Sequence, residues 1–207
     1  MPIVVHLPKL DPPCRTAVLE AAAAATVALC LDERVGVDGP WHDPFVWWLG
    51  GPIRKVSRRA RGAQWAAAQQ IDGVTVEVDG AQARAFVPGA VGELDPRIKR
   101  LQVGGTDLPH DDPGEPVPGL PVLWLNSALD MTLGKACAQV GHASMLLAGA
   151  LPFDAVAAWA DAGFACSVRA ASAEQWKQLA RRGRTIAVRD AGFTEVAPGS
   201  TTVIAHA

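Results

Sequence analysis

The sequence has neither the spacing of a metal site nor that of a disulfide frame. Its four cysteines, Cys14, Cys30, Cys137 and Cys166, are scattered without a Cys-x-x-Cys pair. This argues for reduced core thiols in a cytoplasmic protein. Positive charge is not in excess. With 19 Lys and Arg against 21 Asp and Glu, the net charge is −2, so contact with nucleic acid would need a local basic face. The only stretch resembling a targeting signal, residues 21–31, follows Asp11 and Glu20 rather than a basic leader. It is shorter than the roughly 20 apolar residues a membrane span needs. No Gly-x-Ser-x-Gly elbow occurs, which argues against an acyl-enzyme formed on serine.

What is present is the composition of a folded protein. With 207 residues, 49% hydrophobic and 19% charged, the chain is globular and long enough for one large or two small cores. Residues 106–118 are rich in Pro, Asp and Gly, with little to bury. They read as a linker dividing an N-terminal α+β domain, residues 1–118, from a second domain over residues 119–207.

In the first part, Ile3 to Leu7 reads as a strand. Asp11 and Pro12 open a long Ala-rich helix that runs to about Arg34. A Trp-rich turn of helix, Phe45 to Leu49, stops at Gly50-Gly51. Residues 53–70 read as a helix broken at Gly62 that carries Arg54, Lys55, Arg58, Arg59 and Arg61, with Trp65 nearby. Such a face suits a phosphate backbone and a stacked base, although a solvated face with a packed Trp is the alternative. Strands 74–78 and 83–87 alternate around Asp79-Gly80, a hairpin signal.

Beyond the linker, strands at 122–125, 164–169, 185–189 and 201–205 alternate with helices at 134–149, 153–162 and 173–182. This is the pattern of an α/β layered domain. Ser172 and Gln175 form a capping box for the last helix. The chemistry gathers around residues 131–144, read as a loop entering a helix. At 100° per residue, Lys135, Gln139 and His142 share one edge of that helix, beside an apolar stripe of Ala136, Val140, Ala143 and Leu147. Gly134-Lys135 is not a nucleotide phosphate loop, because Leu129 and Ala136 stand where Gly and Ser or Thr are required. There remains an ammonium near a helix N-terminus, suited to an anion or a developing negative charge; a solvated first-turn lysine is the plainer alternative. Asp190 stands at the exit of a strand, where open α/β sheets collect their sites.

Two ordered motifs about 50 residues apart carry a resemblance. They are Gly134-Lys135 with Ala138-Gln139 and His142-Ala143, and Asp190-Ala-Gly192 with Thr194, Pro198-Gly199-Ser200 and Thr202-Val203. Residues 119–207 thereby resemble the class II peptidyl-tRNA hydrolases of archaea and eukaryotes. The resemblance implies a three-layer domain with a small mixed four-stranded sheet flanked by helices. It also implies cleavage of the ester between peptide and tRNA, with peptidyl-tRNA as partner. Neither cofactor, metal nor membrane is expected, and a homodimer is the assembly considered. Lys135, Asp190, Thr194 and His142 are the implied catalytic residues, and Gln139, Ser200 and Thr202 bind substrate. Arg54, Arg58 and Arg61 add RNA contacts from the basic stretch.

Asp190 would orient or deprotonate water, an effect worth about 10²- to 10⁴-fold. Lys135 would stabilise an oxyanion or grip phosphate; loss of one oxyanion donor costs about 3–4 kcal/mol. His142 suits a base at neutral pH, or a half-buried structural role. Cys137 reads as a small core residue. The rival reading is a non-catalytic module that binds RNA or protein on the same fold.

Overall fold

Strands and helices that each bury one face must stack in layers. In the computed structural model, which describes residues 1–105, 107–183 and 185–207, they do so twice. The first half runs β1 (Pro2–His6), α1 (Arg15–Cys30), α2 (His42–Leu49), β2 (Val56–Ala60), α3 (Ala63–Ala68), β3 (Gly73–Val78) and β4 (Ala81–Phe86). A short α4 (Pro96–Lys99) follows. The second half runs β5 (Val122–Asn126), α5 (Leu133–Ala150), α6 (Phe153–Asp161), β6 (Ser167–Ala171), α7 (Ala173–Arg181), β7 (Ile186–Arg189) and β8 (Thr201–His206).

The result is two mixed four-stranded sheets, ordered β2-β1-β4-β3 and β6-β5-β8-β7. In each, the first two strands of the half pair in parallel and the other pairs are antiparallel. Even the register agrees. Ile3, Val4 and Val5 face Ala85, Arg84 and Ala83, and Leu123, Trp124 and Leu125 face Ala205, Ile204 and Val203.

Most predicted elements form, with ends moved by a few residues. The expected helix over 53–70 does not. Residues 56–60 form β2, paired along its length with β1, and only Ala63–Ala68 is helical. Pairing of residues 56–60 with β1 holds them in the extended form, and local propensity yields to it. The Ala-rich helix also starts later than expected. Asp11 has φ +52°, and Cys14 precedes the first turn without a side-chain cap. Of the four cysteines, Cys137 and Cys166 are buried, whereas Cys14 is exposed.

The two sheets fall on either side of the 118/119 boundary, but the buried core does not. Ile3, Val18 and Val27 share one apolar cluster with Leu123, Val140 and Leu147. Its centre is the contact of α1 with α5, which small residues allow. Ala21 to Ala25 are buried on α1, and Gly141 and Ala143 on α5. Ser144 Oγ donates to the Ala23 carbonyl at 2.8 Å, across the two helices. Residues 107–118 are not a loose tether. Asp111 accepts from Thr16 N and Oγ1, each at 3.1 Å. Arg169 donates to the Gly114 and Glu115 carbonyls at 2.8 and 3.1 Å and pairs with Glu20 at 2.9 Å. Among the described residues, no helix is long and apolar enough to cross a membrane.

A Cβ added at Gly141 would lie 2.6 Å from Thr26 Oγ1 and 3.3 Å from Ile3 Cδ1, both in the first half. Gly141→Ala therefore overpacks the junction and should cost about 1–3 kcal/mol. Thermal unfolding checks this, and the whole chain should melt in one transition at a lower temperature.

Candidate active site

Thr132 caps α5, its Oγ accepting from Lys135 N at 3.2 Å, so the helix starts with the Lys135 side chain at its mouth. The 190–200 loop between β7 and β8 folds back onto that end. Glu195 accepts from Thr132 N and Oγ1 at 2.9 and 3.1 Å. Asp190 N donates to the Ser200 carbonyl, and Gly199 N to the Asp190 carbonyl. Gly192 has φ +79°, and a Cβ there would stand 2.4 Å from Pro198 Cγ. Only glycine turns the loop at this point.

These restraints bring the Asp190 carboxylate to the centre of the site. Its Oδ2 accepts from Lys135 Nζ at 2.6 Å and from Gln139 Nε2 at 2.8 Å, and its Oδ1 accepts from Gly192 N at 2.8 Å. Lys135 Nζ also reaches Thr194 Oγ1 at 3.3 Å. Behind them, buried Thr202 donates from Oγ1 to Gln139 Oε1 at 2.6 Å. With its oxygen occupied, Gln139 must turn its NH₂ toward Asp190. Burial pushes the Asp190 carboxyl up. The hydrogen bonds from Lys135, Gly192 and Gln139, together with the Lys135 charge, outweigh it and hold the group below its ordinary value.

The ion pair lines a cleft of about 460 Å³, whose opposite wall comes from the first half. Ile53, Arg54, Lys55, Val56 and Ser57 face Lys135, Gln139, His142, Asp190, Phe193 and Thr194 across it. The Arg54 guanidinium lies over the exposed Phe193 ring, 4.5 Å from its centre. Buried Lys55 places Nζ 3.2 Å from His142 Nδ1. Burial first, and then the Lys55 charge, lower His142 to about 3. It is therefore neutral at ordinary pH and a weak base. Cys137 is fully buried and its thiol is pushed up to about 12, which leaves it no nucleophilic role.

Of the residues singled out in the sequence, Lys135, Asp190, Thr194, Gln139, His142 and Arg54 share the cleft. Thr202 stands behind it as a support for Gln139. Ser200 acts on the loop through its backbone. The rest of the basic stretch lies away from the cleft. Arg58 bonds the Lys99 and Leu101 carbonyls and lines a neighbouring cavity of about 420 Å³ that Arg54 also borders, and Arg61 lines a small hollow with Arg59 and Arg100. The sequence reading missed Glu195, which clamps the loop, and Lys55 and Phe193 as walls of the cleft. Glu195 has φ +61° but no sequence signal, whereas Lys55 was hidden inside a charge run. Among the described residues, no group of three or more His, Cys, Asp or Glu could hold a metal ion.

No curated protein and no solved structure compared with the chain gave a match. Against family models, the finding coincides with the half that carries the ion pair, its loop and the helix that bears Lys135. Residues 121–207, the C-terminal part of the chain, match the family model of peptidyl-tRNA hydrolase PTH2.

Proposed function

We propose that this protein hydrolyses the ester joining a peptide's C-terminal carboxyl to the ribose of tRNA. The observation that carries the reading is the Asp190 carboxylate, held against Lys135 and Gln139 on the wall of an open cleft, in the part of the chain that matches the family model. A carboxylate held by three donors is a poor base, but Oδ1 keeps a lone pair beyond its bond to Gly192 N. That lone pair orients a water molecule. The water oxygen attacks the ester carbonyl carbon, and negative charge develops on the carbonyl oxygen. The Lys135 ammonium, largely shielded from solvent and with the Thr194 hydroxyl beside it, meets that charge. Collapse breaks the bond to the ribose oxygen, which takes one proton of the attacking water while the other passes to solvent, and releases free tRNA and the peptide carboxylate. Such a reaction belongs in the cytoplasm, where translation supplies the substrate.

Arg54 and Phe193 at the mouth offer a cation and an aromatic face, the pair of features that grips the end of a single-stranded RNA. Arg58 is tied to the Lys99 and Leu101 carbonyls, and Arg61 lines another hollow. Arg54→Gln alone should therefore flatten the slope of log affinity for tRNA against log salt by a little under one unit, about the value of one phosphate contact. Arg58→Gln should leave the slope unchanged. Filter binding over a salt series measures both.

Asp190→Asn keeps the side-chain volume and removes the charge, so turnover of peptidyl-tRNA should fall by about 10²- to 10⁴-fold while tRNA binding persists. The pH profile follows from the same groups. Asp190 is held below its ordinary value and stays ionised until the medium is more acidic than an ordinary Asp requires. His142, lowered to about 3, stays neutral over the same range. Thus kcat/KM should stay level from about pH 7.5 to about pH 5, where a free histidine would titrate. A single-turnover assay of the wild type and variant, run beside filter binding, tests both statements. Full binding without any turnover by the wild type would establish the binding-module reading instead.

A further inference from the structure

The two halves share strand order, strand directions and register. The contact between them is also reciprocal. Ser144 of α5 lies against Ala23 of α1, and Thr26 of α1 lies against Gly141 of α5. Each contact maps onto the other when Ala23 is matched with Gly141 and Thr26 with Ser144, as a two-fold axis between like subunits requires.

With the helices matched in this way, the site positions of the first half are empty of chemistry. Ala17 stands for Lys135, Ala21 for Gln139 and Ala24 for His142. β3 passes to β4 through Asp79-Gly80 alone, so there is no counterpart of the loop that carries Asp190 and Thr194. Those three alanines are buried, and the 111–115 segment is strapped alongside by Thr16 and Arg169. Strand pairing matches Val56–Ala60 with Ser167–Ala171, so Lys55 corresponds to Cys166. At the vacated site that position holds a buried apolar thiol, and at the working site it holds a lysine.

From this we infer that the first half is a copy of the second which lost its own site and now completes the remaining one, with Lys55 as the positioning residue for His142. Lys55 is 8% exposed, and among the described residues it enters no ion pair. Its neighbours are His142 Nδ1 at 3.2 Å, Met145 Sδ at 3.4 Å and the Trp48 ring at 5.1 Å. A buried ammonium without a counter-ion is costly, and methionine would fill the same space without that cost. What the lysine adds is a donor aimed at Nδ1. An imidazole that accepts at Nδ1 carries its proton on Nε2 and so enters the cleft as a neutral donor. Burial lowers Lys55 to about 8, so it remains the protonated partner at neutral pH.

The inference rests on the hydrolase reading for its kinetic arm but not for its spectroscopic one. In the full-length protein at neutral pH, the ¹⁵N shifts of His142 should show an unprotonated Nδ1 and a protonated Nε2. Lys55→Met should shift the ring toward the other tautomer and lower kcat on peptidyl-tRNA by about tenfold to a hundredfold. KM and the melting temperature should be little changed, and Lys55→Arg should restore much of kcat. A wild-type ring protonated on Nδ1 overturns the inference even if Lys55→Met fails to fold. An unchanged tautomer or an unchanged kcat in Lys55→Met overturns it as well. A wild type that shows the predicted tautomer but does not hydrolyse peptidyl-tRNA refutes the proposed function and leaves the Lys55 contact standing.

Discussion

The close approach of α1 and α5 is the constraint on which the rest of the structure depends. Two helices come close enough for a side-chain hydroxyl to reach a backbone carbonyl only where both present small residues. Here those residues are Ala21 to Ala25 on one side and Gly141 and Ala143 on the other. The approach fixes where the first sheet stands relative to the second. The segment before β2 thereby lies over α5, and the Lys135–Asp190 pair lies in a cleft rather than on an open surface. Where the side chains are largely shielded, a fixed charge acts more strongly than on an open surface.

Within the site, the order of dependence runs from buried to exposed. Thr202 sets the orientation of Gln139, Gln139 and Lys135 hold one oxygen of Asp190, and the Gly192 amide holds the other. The loop that delivers Asp190 is anchored to the same helix end that delivers Lys135, through Glu195 and Thr132. The two charged groups therefore keep their spacing even though they come from elements 55 positions apart. Thr194 and the Arg54–Phe193 stack lie outermost, at the mouth of the cleft.

Much of this was legible in the sequence. The helix that bears Lys135, the capping box at Ser172, the Asp79-Gly80 turn and the strand that ends just before Asp190 each follow from local rules of periodicity and backbone preference. The sites of failure have a common cause. Residues 53–60 fall within a stretch read as a helix, and only pairing with β1, about 50 residues away in sequence, makes residues 56–60 a strand. The linker looked free because its polar residues have nothing apolar to bury. It is held instead by hydrogen bonds to Thr16 and Arg169, whose position is known only once the chain is folded. The likeness of the two halves was hidden for a similar reason. It lies in strand order and register, while the residues that would have announced it, Lys135, Gln139 and the 190–200 loop, have become alanines and a two-residue turn in the other copy.

Joining both folds in one polypeptide has a consequence for variation. In an assembly of two identical subunits, every substitution is made on both sides of the axis at once, so a change that helps one place must be tolerated at its mirror position. Here the two sides are encoded separately. The position that is Lys55 beside one helix is free to be Cys166 beside the other, and neither has to suit both surroundings. Covalent linkage also keeps the wall of the cleft present at any dilution, so the site does not depend on two chains meeting.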